Sequence, residues 1–236
     1  SFIKKKLEEL ADQDPLNIRV ASMAAYVSKK EKIKNIYPFC RNPLKLVFIE
    51  NIKNQLISHN EFSESLLREL KKIHSIWEPT STTTIEGYQT YGNLFERSDD
   101  IIIELKKVIE KQISIYKKNF ESNDDYIILN WPSVNNLQAW YVKLTKKGHQ
   151  KAHIHPTGWL SGVFYIKIPK ILKNNEGSIR FQLHGYDYPA DKNLPSLIHS
   201  PKDFDLILFP SSLFHKTLPF SSEDERHVIA FDIIPE

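Results

Sequence analysis

Lys147-Gly148-His149-Gln150-Lys151-Ala152-His153-Ile154-His155-Pro156 concentrates ligand-type side chains more tightly than any other stretch of the 236-residue chain. Side chains of a β-strand alternate faces, so His153 and His155 in an H-x-H arrangement leave from one side and can close on one ion. Two imidazoles need a third ligand. His215 is the best candidate, directly behind the apolar run Leu206-Ile207-Leu208-Phe209-Pro210, and Arg226 heads a further strand-like run. The order is ligand pair, long insertion, lone ligand, cation, and only a fold that returns distant strands to one place brings these together. Either all three imidazoles ligate, or His153 and His215 ligate and His155 hydrogen-bonds nearby. Iron(II) is commonly held by two histidines and a carboxylate on one face. His155 here stands where an H-x-D pattern would supply the acid. Three neutral imidazoles would leave the ion's charge at +2, hold an anionic co-substrate more strongly and weaken the preference against zinc.

The remaining histidines read differently. A single histidine is more often a surface residue or a satisfied core residue, which is the reading for His149, His184 and His199, while His59 and His74 fall in the helical part. Gln150 can hydrogen-bond a carboxylate. Arg226 alternates with Val228 and Ala230, opposite His227, Ile229 and Phe231. Both faces carry apolar residues, so the pattern leaves the direction of Arg226 open.

From Leu137 onward the chain has the rhythm of an antiparallel sandwich or barrel. Short strands over Leu137–Leu144, Leu160–Ile168, Ser178–Leu183, Asp205–Phe209 and Arg226–Ile234 are separated by Gly, Pro, Asn and Asp clusters. Ahead of them lie helices. Phe2, Ile3, Leu7 and Leu10 share a face before Asp14-Pro15, and a second pattern covers Val20–Ile36. These predict a helical segment over residues 1–38, which can be read as the last unit of a helical repeat, followed by a main domain over 39–236. Leu44–Ile49 predicts a strand. Ser63 predicts a cap for a helix carrying Leu66, Leu67, Leu70, Ile73 and Trp77, and Ile102 to Phe120 keep helical spacing. Gly87–Asn93 predicts a polar, aromatic loop or short strand whose Tyr88 and Gln89 can contact substrate. The class is α+β.

The formal charge of +3 is mild and its residues interspersed, so no nucleic-acid partner is required. Cys40 is the only cysteine, which excludes an internal disulfide and fits a reducing, cytoplasmic setting. No apolar run reaches the roughly 18–20 residues that span a bilayer as a helix.

Several separated segments resemble the iron(II)/2-oxoglutarate-dependent oxygenases, of the type found behind tetratricopeptide repeats. They are Gly87-Tyr88-Gln89-Thr90 with Gly92-Asn93-Leu94-Phe95, then His153-Ile154-His155-Pro156 leading into Leu160-Ser161-Gly162-Val163-Phe164-Tyr165. Gly177-Ser178-Ile179-Arg180-Phe181, Leu208-Phe209-Pro210-Ser211 before His215, and Arg226 before Ile229-Ala230-Phe231 complete the set. The resemblance runs from about Phe39 to the C-terminus. It implies a double-stranded β-helix, a jelly-roll or cupin-like barrel buttressed by the N-terminal helices, with the metal at its open end. It carries the iron-ligand role to His153, His215 and His155, and gives Arg226 the distal carboxylate of 2-oxoglutarate, a pairing its guanidinium fork suits. Asp205 departs from the glycine frequent at its place. The implied activity is a dioxygenase using Fe(II), 2-oxoglutarate and O2 to hydroxylate an unactivated C–H bond of a peptide or small molecule. Two other readings are a non-catalytic jelly-roll module holding a metal, and a three-histidine iron dioxygenase that takes a thiol directly.

Overall fold

The computed structural model describes residues 2–56, 58–133, 136–170 and 174–235. Helices α1 (Phe2–Gln13) and α2 (Ile18–Lys30) come first, the second capped by the Asn17 side chain, which accepts from the N–H groups of Arg19 and Val20. Strand β1 (Phe48–Asn51), helix α3 (His59–Leu70) and strands β2 (Ser75–Trp77) and β3 (Thr84–Thr90) follow. Then come α4 (Asp100–Asn119) and the short α5 (Tyr126–Leu129). The rest is sheet: β4 (Asn136–His153), β5 (Leu160–Lys167), β6 (Ile179–Gln182), β7 (Ser196–His199), β8 (Asp205–Pro210), β9 (Phe214–Thr217) and β10 (Arg226–Ile234).

Three expectations shift. Pro43 opens a 3-10 turn over Pro43–Leu46, so the first strand begins only at Phe48. Ser63 lies inside α3, its hydroxyl donating to the Asn60 carbonyl, and is not the cap. The helix stops at Leu70 because Ser75–Trp77 pairs with β3, where the Trp77 and Tyr88 rings meet edge-on at 4.9 Å. Strands β7 and β9 are four residues each and carry too few apolar residues to announce themselves.

The strands form one curled antiparallel sheet in the order β1-β8-β5-β10-β4-β9-β6-β7, with β3 on β4 and β2 on β3. This is the jelly-roll class expected, α+β with the helices outside. The central strands are apolar on both faces because both are covered. Phe164, Leu206, Leu208, Ile229 and Phe231 face outward onto Leu66, Leu70, Ile102, Leu105 and Ile109 of α3 and α4. Val142, Leu144, Val163, Tyr165, Ile207, Phe209 and Val228 face inward with Ile179 and Phe181. Gly162 is required where β5 passes under Phe231, since a Cβ there would sit 2.2 Å from the ring.

Candidate metal centre

Strand β4 builds the site by changing partners. Its first half pairs with β10 from Asn136 to Leu144, and its second half pairs with β9, setting His153 opposite His215. The change happens at a bulge, where Glu86 of β3 and Lys147 of β4 both take positive φ (49° and 66°). Gly148 follows, and a Cβ on it would lie 2.6 Å from the Thr145 carbonyl and 2.8 Å from that of Glu86. His155 lies two residues beyond the strand end, held by its N–H to the Ser211 carbonyl at 3.0 Å.

The three rings cluster with centroids 4.2 Å (His153–His215), 5.0 Å (His155–His215) and 5.1 Å (His153–His155) apart. One nitrogen from each lies within 4.8 Å of the others, close enough to hold a metal ion. Which nitrogen follows from the other side of each ring. His153 Nδ1 meets the Lys151 carbonyl at 2.7 Å, His215 Nδ1 the Leu213 carbonyl at 3.1 Å, and His155 Nδ1 both oxygens of Asp232 at 2.7 and 2.8 Å. Carbonyls and ionised carboxylates only accept, so each Nδ1 carries a proton, and Nε2 is the nitrogen that presents a lone pair when the ring is neutral. Burial, reinforced by the neighbouring rings, pushes His153 down to about 3 and His215 well below the ordinary histidine value. Both rings are therefore neutral, the form a metal requires.

Beside the cluster lies a small cavity of about 30 Å³ lined by Tyr165, Phe209, Thr217, Val228 and Arg226 among others. Arg226 is 1% exposed. Its Nη1 reaches only Thr217 Oγ1 at 3.5 Å, its guanidinium stands 5.0 Å from the centre of the Tyr165 ring, and its Nε has no hydrogen-bond partner. Tyr165 OH is equally unpartnered, and burial pushes it up to about 12, so it stays protonated. Burial lowers Arg226 as well, opposed by its neighbour Tyr165. A buried cation held only by a long contact to Thr217 and by its neighbour Tyr165, with its Nε unpartnered, marks a place suited to an anion. The open direction of Arg226 is thus settled: its face, with Val228 and Ala230, turns to the cavity.

Gln150 lines both this cavity and the wider mouth outside it, where Gln89, Trp140, Arg19 and Tyr186 also stand. Gln89 accepts from Thr84 Oγ1 at 3.0 Å. Tyr88 points elsewhere, packed on Trp77 with Lys143 4.6 Å above its ring. Asp232, Tyr165 and Ser161 were not among the sequence candidates. Alternation along β10 from Arg226 would have put Asp232 on the same face, but nothing local says what it meets. Asp205 anchors a turn, receiving His199 Nε2, Asn51 Nδ2 and the Lys202 N–H.

Residues 138–232 match the family model described as "Putative 2OG-Fe(II) oxygenase". No curated protein matches the chain. Among solved structures, a Pseudomonas putida prolyl-4-hydroxylase is similar at 11% identity and a TM-score of 0.53, covering 80% of this chain and 92% of that one. HygX from Streptomyces hygroscopicus, solved with nickel and 2-oxoglutarate, is similar at 13% identity and 0.54, covering 80% and 82%. A prolyl hydroxylase from Trichoplax adhaerens, solved with a hypoxia-inducible-factor peptide fragment, gives 14% and 0.54 over 99% and 93%. Residues 138–232 thus resemble that oxygenase family, and the solved structures share the fold.

The site corrects the activity that this resemblance suggests. Hydroxylation with 2-oxoglutarate uses two histidines and a carboxylate about the iron. The cluster here is His153, His155 and His215, with no Asp or Glu among the described residues that form it. The carboxylate that lies closest in the network, Asp232, bonds the far side of the His155 ring and Ser161 instead. Three neutral imidazoles fit a divalent metal but do not give iron the charge an acidic ligand supplies. The expectations of 2-oxoglutarate as co-substrate, of a 2-oxoglutarate-dependent dioxygenase and of a hydroxylase are overturned by this donor set.

Proposed function

We propose that this protein is a three-histidine iron(II) dioxygenase that oxidises a small thiol bearing a carboxylate, without 2-oxoglutarate. The observation that carries the reading is the convergence of three imidazoles, one nitrogen of each within 4.8 Å of the others, with every Nδ1 turned to an acceptor. His153, His155 and His215 would hold the metal, which when bound supplies open positions and redox activity toward dioxygen. The net reaction places both oxygen atoms of O2 on the thiol sulfur as a sulfinic acid, so no further co-reactant is needed.

This chain's own residues do the rest. Arg226 binds the substrate carboxylate, because a buried guanidinium with a free Nε is a ready bidentate partner. Tyr165 donates its retained proton to the same anion. Val163, Phe209 and Val228 wall the cavity against water, strengthening both contacts. Gln150 and Gln89 offer amides to whatever part of the substrate remains in the mouth. Residues 1–38 serve as a helical segment on a catalytic domain spanning 39–236. A cytoplasmic setting suits the free, buried Cys40. No helix of the described residues is long and apolar enough to cross a membrane.

The test is oxygen consumption by the anaerobically iron-loaded protein. Small thiol carboxylates such as cysteine should drive uptake and yield sulfinate by mass spectrometry, while 2-oxoglutarate alone should do neither. Tight zinc binding with no thiol turnover would instead favour a non-catalytic metal module, which the neutral donor set also suits.

A further inference from the structure

The three histidines of the cluster are not anchored alike. His153 and His215 lean on backbone carbonyls, which fix a tautomer but bring no charge. His155 leans on a carboxylate that is itself buried and built in: the Asp232 side chain is 7% exposed. Both its oxygens reach the same Nδ1, and one of them also accepts from the Ser161 hydroxyl at 2.7 Å. Ser161 Oγ lies 2.8 Å from Ser211 Oγ, and the Ser211 carbonyl receives the His155 N–H. Ring and backbone of His155 are thus tied to β5, β10 and the turn after β8 at once. The loop closes tightly over this knot, since a Cβ on Gly158 would lie 2.6 Å from Ser211 Oγ and 3.2 Å from Asp232 Cγ.

Such an arrangement does more than pack. A carboxylate on the distal nitrogen of a ligating imidazole fixes its orientation and raises its basicity. We propose that Asp232 is a positioning residue that holds His155 with Nε2 toward the metal and supplies, from the far side of that ring, the negative charge the three-histidine site lacks. This rests on the three-histidine reading of the site, and it makes His155 the strongest donor of the three.

The test compares the parent with Asp232→Asn, which keeps shape and one acceptor oxygen but removes the charge, and with Ser161→Ala, which removes one hydrogen bond from the same carboxylate. Zinc(II) affinity is measured by competition with a chromophoric chelator, and the His155 tautomer by 15N NMR of the zinc-loaded protein. Asp232→Asn should weaken zinc by about 10- to 100-fold and move the His155 nitrogen shifts. Ser161→Ala should shift affinity the same way by a smaller factor. A merely structural role would lower the melting temperature of the metal-free variants and leave affinity and tautomer alone, and that result overturns the proposal. Equal affinities with zinc bound through all three histidines overturn this inference only. A parent that takes up no zinc, or whose His153→Ala/His215→Ala variant binds as well as the parent, overturns the three-histidine reading along with it.

Discussion

Arg226 is a guanidinium in a place where charge is costly, and its neighbours do not neutralise it: Thr217 and the Tyr165 ring are its contacts. In the proposed function, an anionic substrate group is its partner. A charge-assisted hydrogen-bonded pair contributes about 1.5–3 kcal/mol, so Arg226→Ala should raise the KM for a thiol carboxylate by roughly 10- to 100-fold with zinc affinity nearly unchanged. Arg226→Lys should recover only part of the loss, because a point charge does not reproduce the fork. Oxygen-uptake kinetics on both variants check this. The histidines make a second prediction. In the folded protein His153 is pushed down to about 3 and His227 to about 4, against 6.5 for a free histidine, chiefly by loss of solvent around rings that are half-buried and buried respectively. Above pH 6.5 neither affects stability. Below it the unfolded chain takes up protons that the folded chain refuses, so the metal-free protein should lose stability steadily as the pH falls from about 6.5 toward 4. Melting curves across that range test the sign, and His153→Gln should flatten the slope.

At the scale of elements, the centre depends on one bend. Strand β4 leaves β10 after Leu144 and reaches β9 at Gln150, and that exchange puts His153 beside His215. Gly148 occupies the tightest point of the bend, with two backbone carbonyls in the way of any side chain. Backbone atoms cannot rotate aside as a side chain can. Gly148→Ala should therefore cost about 1–3 kcal/mol in urea denaturation and should also weaken zinc binding, because it displaces the strand that carries His153. If stability fell while affinity held, the bend would have no part in aligning the pair.

At the scale of the molecule, the N-terminal helices are packed into the rest of the chain. Leu7, Ile18, Ala21 and Ala24 join the outer core, Ala25 and Tyr26 the inner one, and Tyr26 OH donates to the Pro189 carbonyl. Tyr37 is fully buried and bonds Asn17 N–H and the Asp14 carbonyl. Deleting residues 2–38 should expose this apolar face and lower the melting temperature or the soluble yield. An unchanged melting transition would mark the helices as an independent unit. Metal should act on the whole fold as well, since its ligands come from two distant strands and a turn. Zinc at about 100 times its Kd should stabilise the protein by about 2.7 kcal/mol, and a chelator should remove that increment.

Much of this was legible in the sequence. The H-x-H pair, His215 and Arg226 were identifiable because side-chain chemistry is local and strand alternation has a fixed period of two. Strands β5, β8 and β10 and helix α4 showed for the same reason, their apolar runs being long enough to carry a pattern. The extent of β4, the four-residue β9 that carries His215, and the placing of Trp77 on a strand were decided by pairing partners that lie far away in sequence. So was the chemistry. Three imidazoles spaced along a chain do not say whether an acid joins them; only the fold shows Asp232 arriving from β10 behind His155 rather than beside the metal. Protonation at each Nδ1, and with it the direction of each lone pair, follows from acceptors that tertiary structure alone puts in contact.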